Sequence, residues 1–303
     1  MTLSSSDLEF FAIVARAGSL AAAARTLDVT LSAVSQRLKQ LELRLGVRLV
    51  TRSARRLTLT DEGQLLAHRG QALVDELDAL AESISARRGV VSGHLRVIAP
   101  LGFGRAHVGE AVASFAESHP EISLDLHVSD RLGRVPEEAW DVAVHIGVLH
   151  DSAMVAQPLA PNDRFVCASP SYVERFGAPS TPADLPNFSC MALRENDEDV
   201  TMWRFTSPDG AVAGLRIEPL LATNDGDILR DWAIAGRGIM VRSEWSVADD
   251  LRAGRLVRLL AEYALPSADV VALVAPRRGR SARTARFLEH LRERLTPAPW
   301  RRP

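Results

Sequence analysis

The sequence predicts a mixed α/β protein built from an N-terminal winged helix-turn-helix, a long linker helix and an α/β domain of two lobes. Three observations support this fold class. Two short helical patterns meet at a tight turn near Asp28, a leucine repeat of period seven follows between residues 66 and 84, and strand patterns alternate with helix patterns from Gly93 onward. The predicted domains are residues 1–60, 61–90 and 91–303, the last divided into lobe I, about 93–162 and 267–303, and lobe II, about 163–266.

The helix-turn-helix is predicted from its caps and its apolar stripe. Ser19 and Thr30 are suited to cap two successive helices, and Asp28-Val29 forms the turn between them. In the second helix, four apolar residues recur at steps of four, three and four, which places them on one buried face: Val34, Leu38, Leu41 and Leu45. Helix pairs of this kind also occur in proteins that do not bind DNA, so the pattern alone leaves an ordinary amphipathic pair open.

The polar face of the second helix and the segment after it carry the chemistry of a DNA-binding site. Short hydrogen-bonding side chains and one lysine face away from the stripe, and two β-prone runs then flank a basic tip, which predicts a hairpin wing. Between Thr30 and Leu59 there are seven basic side chains and one acidic one, whereas the whole chain has a formal net charge of −2. A solvated basic face is the alternative to a polyanion site. The predicted DNA-binding residues are Thr30, Ser32, Ser35, Gln36, Arg37, Lys39, Arg52, Arg55 and Arg56.

Residues 6–66 contain a series of short motifs: GSL, a run of alanines, SAVSQRLKQLE, LGVRL and, at Leu59–Gly63, LTxxG. In order and spacing, this series resembles the winged N-terminal domain of LysR-type transcriptional regulators. The similarity continues through LRVIAP, WDVAVHIG and NDGDILRDWAIAGRGIMVRSEW, where the chain resembles the branch that includes D-malate-type regulators. The resemblance implies a transcription factor that controls target genes in response to a small-molecule effector. Leu31 stands where many members carry a polar residue, which leaves the expected base contacts to Ser32, Ser35 and Gln36.

The segment from Thr60 to Arg88 predicts one long helix, because almost no helix breaker interrupts it. Its apolar residues occupy heptad positions, with Gly70 in the same register: Leu66, Leu73, Leu77, Leu80 and Ile84. A long helix with a narrow apolar stripe needs a partner, so we predict self-association through these residues. Packing against its own domain is the alternative, and Gly70 is expected to weaken the seam and allow a bend. The resemblance implies a homodimer that assembles further into a dimer of dimers.

From Gly93 the chain alternates between strands and helices. LRVIA, a helix from about Arg105 to Ser118, ISLDLHV and WDVAVHI predict a β-α-β-β unit. A second unit begins near Arg164 with FVCAS and runs through a helix from Asp227 to Ala235, GIMVR and RLVRLL, before VVALVAP returns to the first. A chain that leaves one lobe and re-enters it predicts two lobes with a cleft. The resemblance implies a periplasmic-binding-protein-like (type 2) fold.

The cleft is the predicted ligand site, since α/β proteins bind ligands at the carboxyl ends of strands and helix N-termini attract anions. We expect an organic acid there, with His145 able to hydrogen-bond or charge-pair with it. Many family members place a hydroxyl in the first loop to hold a carboxylate, whereas this chain has Gly102, so that contact is not carried over. The predicted effector-binding residues are Pro100, Leu101, Gly102, Phe103, Ser129, His145, Asn224 and Asp225.

Other classes lack their sequence signatures. The eight histidines are scattered, without HExxH, and neither CxxC nor GxSxG occurs. Gly102-x-Gly104 lacks the third glycine of a dinucleotide loop, and Cys167 and Cys190 lack metal-ligand spacing. We therefore expect no cofactor, no metal and no catalysis. The alternatives are an α/β enzyme with an appended winged domain, which would need a reactive constellation, and a solute-binding protein, which would need a signal peptide.

The expected partners follow from these predictions. They are double-stranded operator DNA, a small-molecule effector and further copies of the chain, with RNA polymerase as an additional candidate. No run of about 18 apolar residues occurs, so we expect no membrane partner and a cytoplasmic protein. The arginines between residues 277 and 286 are expected to form the polar side of an amphipathic closing helix.

Overall fold

Helices dominate the N-terminal part of the computed structural model, which describes residues 3–52, 57–86, 91–131, 140–147, 154–194, 200–274 and 281–302. The chain divides into two units, Met1–Ile84 and Ser85–Pro303. The elements of the first are α1 (Ser5–Ala17), α2 (Leu20–Thr26), α3 (Leu31–Leu45), β1 (Val50–Arg52), β2 (Leu57–Leu59) and α4 (Asp61–Ala86).

The caps and the turn of the helix-turn-helix lie where the sequence predicts them. Ser19 Oγ accepts a hydrogen bond from the Ala22 amide at 3.2 Å, and Thr30 Oγ1 accepts one from the Ala33 amide at 3.3 Å. Asp28 has a φ of 52°, in the left-handed region that short Asp side chains tolerate better than most. Ser19 caps the start of α2, Thr30 caps the start of α3, and Asp28 lies in the turn between them. The predicted helix pair is confirmed.

The apolar stripe on α3 packs into the hydrophobic core of this unit. Val34, Leu38 and Leu41 are buried together with phenylalanines of α1, and Leu45 is half-buried at the edge. Arg44 Nη2 lies 2.6 Å from Asp7 Oδ1 and so joins α3 to α1. The hydrogen bond from Arg44 lowers the pKa of Asp7 to about 2, against the opposing effect of burial.

The first half of α4 packs on its own unit. Leu66 lies half-buried against the helix-turn-helix core, and Val74 is buried. A Cβ atom at Gly70 would lie 3.1 Å from Leu8 Cδ2, so this glycine allows α1 and α4 to approach closely. Helix α4 continues through Gly70 without a break in its helical assignment, and the glycine there serves the packing of α1 on α4.

The second unit contains two five-stranded sheets. Its elements are β3 (Gly93–Pro100), α5 (Leu101–Phe103), a π-helical turn (Gly104–Val108), α6 (Gly109–Ser118), β4 (Ile122–Ser129), β5 (Val142–Ile146), β6 (Val155–Ala160), β7 (Arg164–Ala168), α7 (Pro170–Phe176), a 3-10 helix (Pro182–Asn187), β8 (Cys190–Leu193), β9 (Met202–Thr206), β10 (Val212–Arg216), β11 (Leu221–Thr223), α8 (Gly226–Ile234), β12 (Ile239–Ser243), α9 (Glu244–Arg252), β13 (Val257–Leu259), β14 (Val270–Val274), α10 (Ala282–Leu295) and a 3-10 helix (Pro299–Arg301).

Each sheet is the core of one lobe. In lobe I the strand order is β4-β3-β5-β14-β6, with β3 parallel to both neighbours and β14 antiparallel to its own. In lobe II the order is β11-β8-β12-β7-β13, and β9 and β10 form a separate antiparallel hairpin. Strand β14 returns the chain to lobe I as predicted.

The segments that cross between the lobes are tied together by one buried asparagine. Asn162 Nδ2 donates to the Ala268 carbonyl at 2.8 Å, and its Oδ1 accepts from the Trp245 amide at 3.1 Å. Arg301 joins the same region, since its guanidinium lies within 3.0 Å of both Glu244 and Asp163 carboxylates. The start of lobe II is therefore linked to the second crossing segment, to α9 and to the C-terminal 3-10 helix.

One predicted boundary is wrong. The sequence places a loop over Pro100–Phe103 and starts the helix near Arg105, whereas the helical turns begin at Leu101, directly after β3. Within this segment Gly104 is buried, and a Cβ there would overlap Val128 Cγ1. Close packing on β4 is thus the reason for this glycine.

Candidate DNA-binding face and ligand cavity

The exposed face of α3 carries the side chains that the sequence assigns to base and phosphate contacts. Ser32, Gln36 and Lys39 are exposed, and Ser35 is half-buried. Thr30 Oγ1 and Ser32 Oγ lie 3.0 Å apart at the start of the helix. A helix N-terminus with short hydroxyl and amide side chains can enter a major groove and present donors and acceptors to base edges.

The side chain of Arg37, which is also predicted to bind DNA, packs on α1. Its Nη2 donates to the Ser6 carbonyl and hydroxyl at 2.8 and 2.6 Å, and its guanidinium carbon lies 4.5 Å from the centre of the Phe10 ring. The side chain therefore links α3 to α1. A contact of this kind joins residues 31 positions apart and leaves no local pattern in the sequence.

The wing is formed by β1 and β2, which pair in antiparallel register with Thr51 opposite Thr58. Arg52 is the last residue of β1. The other two basic residues predicted for the wing tip, Arg55 and Arg56, lie outside the described residues.

The second half of α4 presents an apolar surface. Its predicted seam residues are at least half exposed in the chain by itself, unlike Leu66: Leu73, Leu77, Leu80 and Ile84. Leu65 is exposed on the same helix, and an apolar groove between α4 and the N-terminus of α1 also includes Leu3 and Val47. Exposed leucines in such a row are unusual for a surface helix that has no partner.

A cavity of about 230 Å³ lies between the two lobes of the second unit. Lobe I contributes Pro100, Gly102, Phe103, Ser129, Asp130, His145 and Ile146. Lobe II contributes residues of β7, β8, β9, β12 and the start of α8. Among the described lining residues, three are arginines, Arg164, Arg204 and Arg242, and one is acidic, Asp130. The excess of guanidinium groups favours an anionic ligand.

Arg242 is the most buried of the three arginines, with 6% of its surface exposed. It comes from β12, where its Nη2 donates to Ser246 Oγ at 2.8 Å, and its guanidinium carbon lies 5.7 Å from the Trp245 ring. A Cβ atom at Gly226 would overlap the guanidinium, so the side chain lies against the first turn of α8. Arg242 and Gly226, the first residue of α8, thus form one wall of the cavity.

Arg164 of lobe II places its positive charge next to lobe I. It begins β7, and its Nη2 would lie 3.0 Å from a Cβ atom at Gly147, just after β5 of lobe I. Gly147 has a φ of 105°, which favours glycine and leaves room for the guanidinium. Arg204 reaches the cavity from the hairpin strand β9.

The predicted effector residues separate into two groups. Pro100, Gly102, Phe103, Ser129 and His145 line the cavity, although Phe103 is fully buried. Leu101, Asn224 and Asp225 are not among the lining residues. Asn224 and Asp225 instead contact lobe I directly: Asn224 Nδ2 donates to Asp130 Oδ2 at 2.6 Å, and Asp225 Oδ2 lies 3.4 Å from Arg105 Nη2.

An aromatic cluster stands behind the cavity wall. Phe103 contacts the Trp245 ring edge-on at 5.3 Å, and His107 of the π-helical turn lies 5.2 Å from Trp300. Burial lowers the pKa of His107, so the ring is neutral at neutral pH. Trp245 also lies close to Gly102: its Cη2 would be 3.1 Å from a Cβ atom there. The indole therefore occupies the space next to Gly102.

Both units match known families. Residues 5–64 match the family described as "Bacterial regulatory helix-turn-helix protein, lysR family". Residues 88–296 match the "LysR substrate binding domain". The chain belongs to the LysR family of transcriptional regulators. It is accordingly a DNA-binding transcription regulator with an effector-binding domain, as the sequence predicts.

Named relatives cover nearly the whole of this LysR-type regulator. It is 34% identical to the HTH-type transcriptional regulator DmlR of Escherichia coli (strain K12) over 287 residues, 95% of this chain and 93% of DmlR. It is 30% identical to the HTH-type transcriptional activator TtdR of the same strain, over 85% of this chain and 83% of TtdR. The structure of CrgA, a LysR-type transcriptional regulator from Neisseria meningitidis, is 29% identical, with a TM-score of 0.54, and covers 99% of this chain and 98% of CrgA. These relatives are named as regulators, which does not favour the enzyme or solute-binding alternatives.

The sequence did not predict the arginines of the regulator's interlobe cavity. Arg164, Arg204 and Arg242 lie within short β-strands of mainly apolar residues, and they come together only when the lobes fold. A usable signal was present in β12, where an arginine follows Ile239, Met240 and Val241 in a strand buried on both sides. A charge in such a strand is rarely retained without a partner or a ligand.

Within the described residues, no helix of the regulator is both long and apolar enough to cross a bilayer. The two cysteines are buried thiols: burial raises the pKa of Cys167 to about 12 and that of Cys190 to about 11.

Proposed function

We propose that the effector of this regulator is a small organic acid that occupies the interlobe cavity. The observation that carries the proposal is the set of three arginines facing one acidic residue in that cavity. Arg242 is placed to hold a carboxylate, because its buried guanidinium lines the cavity and can donate charged hydrogen bonds to it. Ser129 and His145 supply polar groups from lobe I.

The size of the cavity limits the ligand. A volume of about 230 Å³ is small for a ligand pocket, which favours an effector with on the order of ten non-hydrogen atoms over a larger molecule. Asp130 would oppose a ligand that is anionic over its whole length. A carboxylic acid with a hydroxyl group near Asp130 satisfies both requirements, since the hydroxyl can donate to the carboxylate.

Calorimetry on the full-length protein tests this proposal. Short mono- and dicarboxylic acids, with and without hydroxyl groups, are titrated into the wild type, Arg242→Gln and Arg292→Gln. Arg292 is a matched control because it lies on α10 and bonds to Gln157 of lobe I, away from the cavity. Loss of a charged hydrogen bond is expected to weaken binding by about 1.5 to 3 kcal/mol in Arg242→Gln only. If no acid binds, or if Arg242→Gln binds like the wild type, the proposal is wrong.

For the DNA-binding residues, we propose the roles that the sequence predicts. Ser32, Ser35 and Gln36 are assigned to base edges, and Lys39 and the wing arginines to phosphates. We infer that Arg37 acts indirectly, because its guanidinium is engaged by α1. A gel-shift assay on the intergenic DNA upstream of the protein's own gene tests whether an operator lies there.

We also propose that two chains pair through the exposed leucines of α4, and that dimers join in pairs. Support comes from Leu73, Leu77, Leu80 and Ile84, which form an exposed apolar row. Because a regulator acts at promoters, RNA polymerase is the further partner we propose, and the cytoplasm is the proposed location.

A further inference from the structure

The two lobes of the regulatory unit contact each other through a set of polar groups away from the crossing segments. Arg105 of lobe I lies on the π-helical turn, and its Nη2 is 2.8 Å from Asp227 Oδ2 and 3.4 Å from Asp225 Oδ2 of lobe II. Beside this pair, Asn224 Nδ2 donates to Asp130 Oδ2 at 2.6 Å. Arg105 of lobe I therefore binds carboxylates of the turn at residues 224–227 in lobe II, and Asn224 of the same turn binds a carboxylate of lobe I.

Asp225 couples this contact to the end of a helix. Its Oδ1 accepts hydrogen bonds from the amides of Asp227 at 2.8 Å and Ile228 at 3.4 Å, which caps α8. Its Oδ2 faces Arg105. Burial opposes ionisation of this carboxyl, but the two amides and Arg105 outweigh it and lower the pKa of Asp225. The carboxylate is therefore charged at neutral pH, and one side chain serves both the helix cap and the contact between lobes.

The position of Arg105 depends on the irregular start of the lobe I helix. A π-helical turn changes the direction in which its side chains leave the helix, relative to a continuous α-helix. Gly104 precedes Arg105 and is packed so tightly on β4 that a Cβ atom there would overlap Val128. The backbone on the N-terminal side of Arg105 is therefore fixed, while the guanidinium itself is half exposed.

We propose that these contacts form a latch that holds the two lobes closed over the cavity when no effector is bound. The latch is the pair of contacts Arg105 with Asp225 and Asp227, and Asp130 with Asn224. Because Arg105 and Asp227 are partly exposed, salt weakens the latch, and the lobes open more often when it is broken. An effector enters through this opened state, so the latch sets how fast a ligand reaches the cavity.

Hydrogen–deuterium exchange on the full-length protein, without any ligand, tests the latch. The exchange rate is measured in the lobe opposite to the substituted residue. For Arg105→Gln it is measured in peptides over residues 223–234, and for Asp227→Asn in peptides over residues 101–110. Each is expected to speed exchange there about threefold to tenfold. The double variant is expected to add little to Arg105→Gln, since Asp227→Asn removes a contact that Arg105→Gln already removes. Arg286→Gln is the control, because Arg286 pairs with Glu289 within α10.

Salt provides the second measurement. Raising the sodium chloride concentration from low to molar levels is expected to speed exchange in both segments of the wild type and to have much less effect in Arg105→Gln. Unchanged exchange in the opposite lobe, or the same salt effect in the wild type and Arg105→Gln, would overturn the latch. The test involves no acid and no operator, so it fails or succeeds independently of the proposed effector.

Discussion

Shortening one leucine of α4 is expected to weaken the dimer by a predictable amount. Leu77 has 51% of its surface exposed in the chain by itself, so about half of it remains to be buried by a partner helix. Complete burial of a leucine contributes about 1.5 to 3 kcal/mol, and the remaining half of Leu77 therefore contributes about 1 kcal/mol. The side chain occurs twice in a dimer. Leu77→Ala should thus cost about 2 kcal/mol, which is roughly a thirtyfold increase in the dimer dissociation constant.

Sedimentation velocity over a concentration series, without DNA, measures this constant. Leu220→Ala is the matched control, because Leu220 is 67% exposed but lies in lobe II, far along the chain from the seam. Leu73→Ala, with nearly the same exposure as Leu77, is expected to give a similar shift. A dissociation constant for Leu77→Ala within threefold of the wild type would refute the assignment of the dimer to this row of leucines.

Two further predictions concern the DNA-binding unit. Lys39→Ala is expected to weaken binding to all sequences alike and to lower the slope of log affinity against log salt by about one, whereas Gln36→Ala should change discrimination at one base pair by about 1 to 3 kcal/mol. Asp7→Asn is expected to lower the free energy of unfolding at pH 7 by about 1 to 2 kcal/mol, because solvent screens part of the pair with half-exposed Arg44. The folded-state pKa of about 2 lies below the ordinary value of 3.8, so this stabilisation is complete above about pH 5 and is lost as the pH falls through about 2.

Each of these predictions has an outcome that contradicts it. An unchanged salt slope in Lys39→Ala would mean that this lysine does not neutralise a phosphate. For Asp7, urea denaturation at pH 7 and pH 3 compares the variant with the wild type and with Glu9→Gln, an exposed control on the same helix. A difference that did not shrink at the lower pH would show that Asp7 stabilises the unit by packing rather than by charge.

The helix-turn-helix could be predicted because its signals are local. A cap, a turn and a stripe each involve residues within a few positions, and Ser19, Asp28 and Val34 therefore have the predicted roles. The cavity depends on residues far apart in the chain. Arg164 and Arg242 meet only across folded strands, and no periodicity marks a guanidinium in an apolar strand as a ligand contact.

Two features of the cleft could not be read from the sequence, for the same physical reason. Asn224 and Asp225, which are predicted to bind the effector, also contact the opposite lobe at Asp130 and Arg105. The helical turns begin before Arg105, where Gly104 is required by the close approach of β4. Tertiary contacts decided both positions, and a sequence pattern does not contain them.

The aromatic side chains around the cavity give this regulator an optical signal of its own. Two of its five tryptophans, Trp203 and Trp245, line the cavity, and Trp300 lies behind Phe103 and His107. Indole emission depends on the charge and the water around the ring, and Trp245 lies beside Arg242. Filling the cavity or separating its walls would therefore change the emission of the unlabelled protein, so that occupancy and opening can be followed in real time without an attached dye.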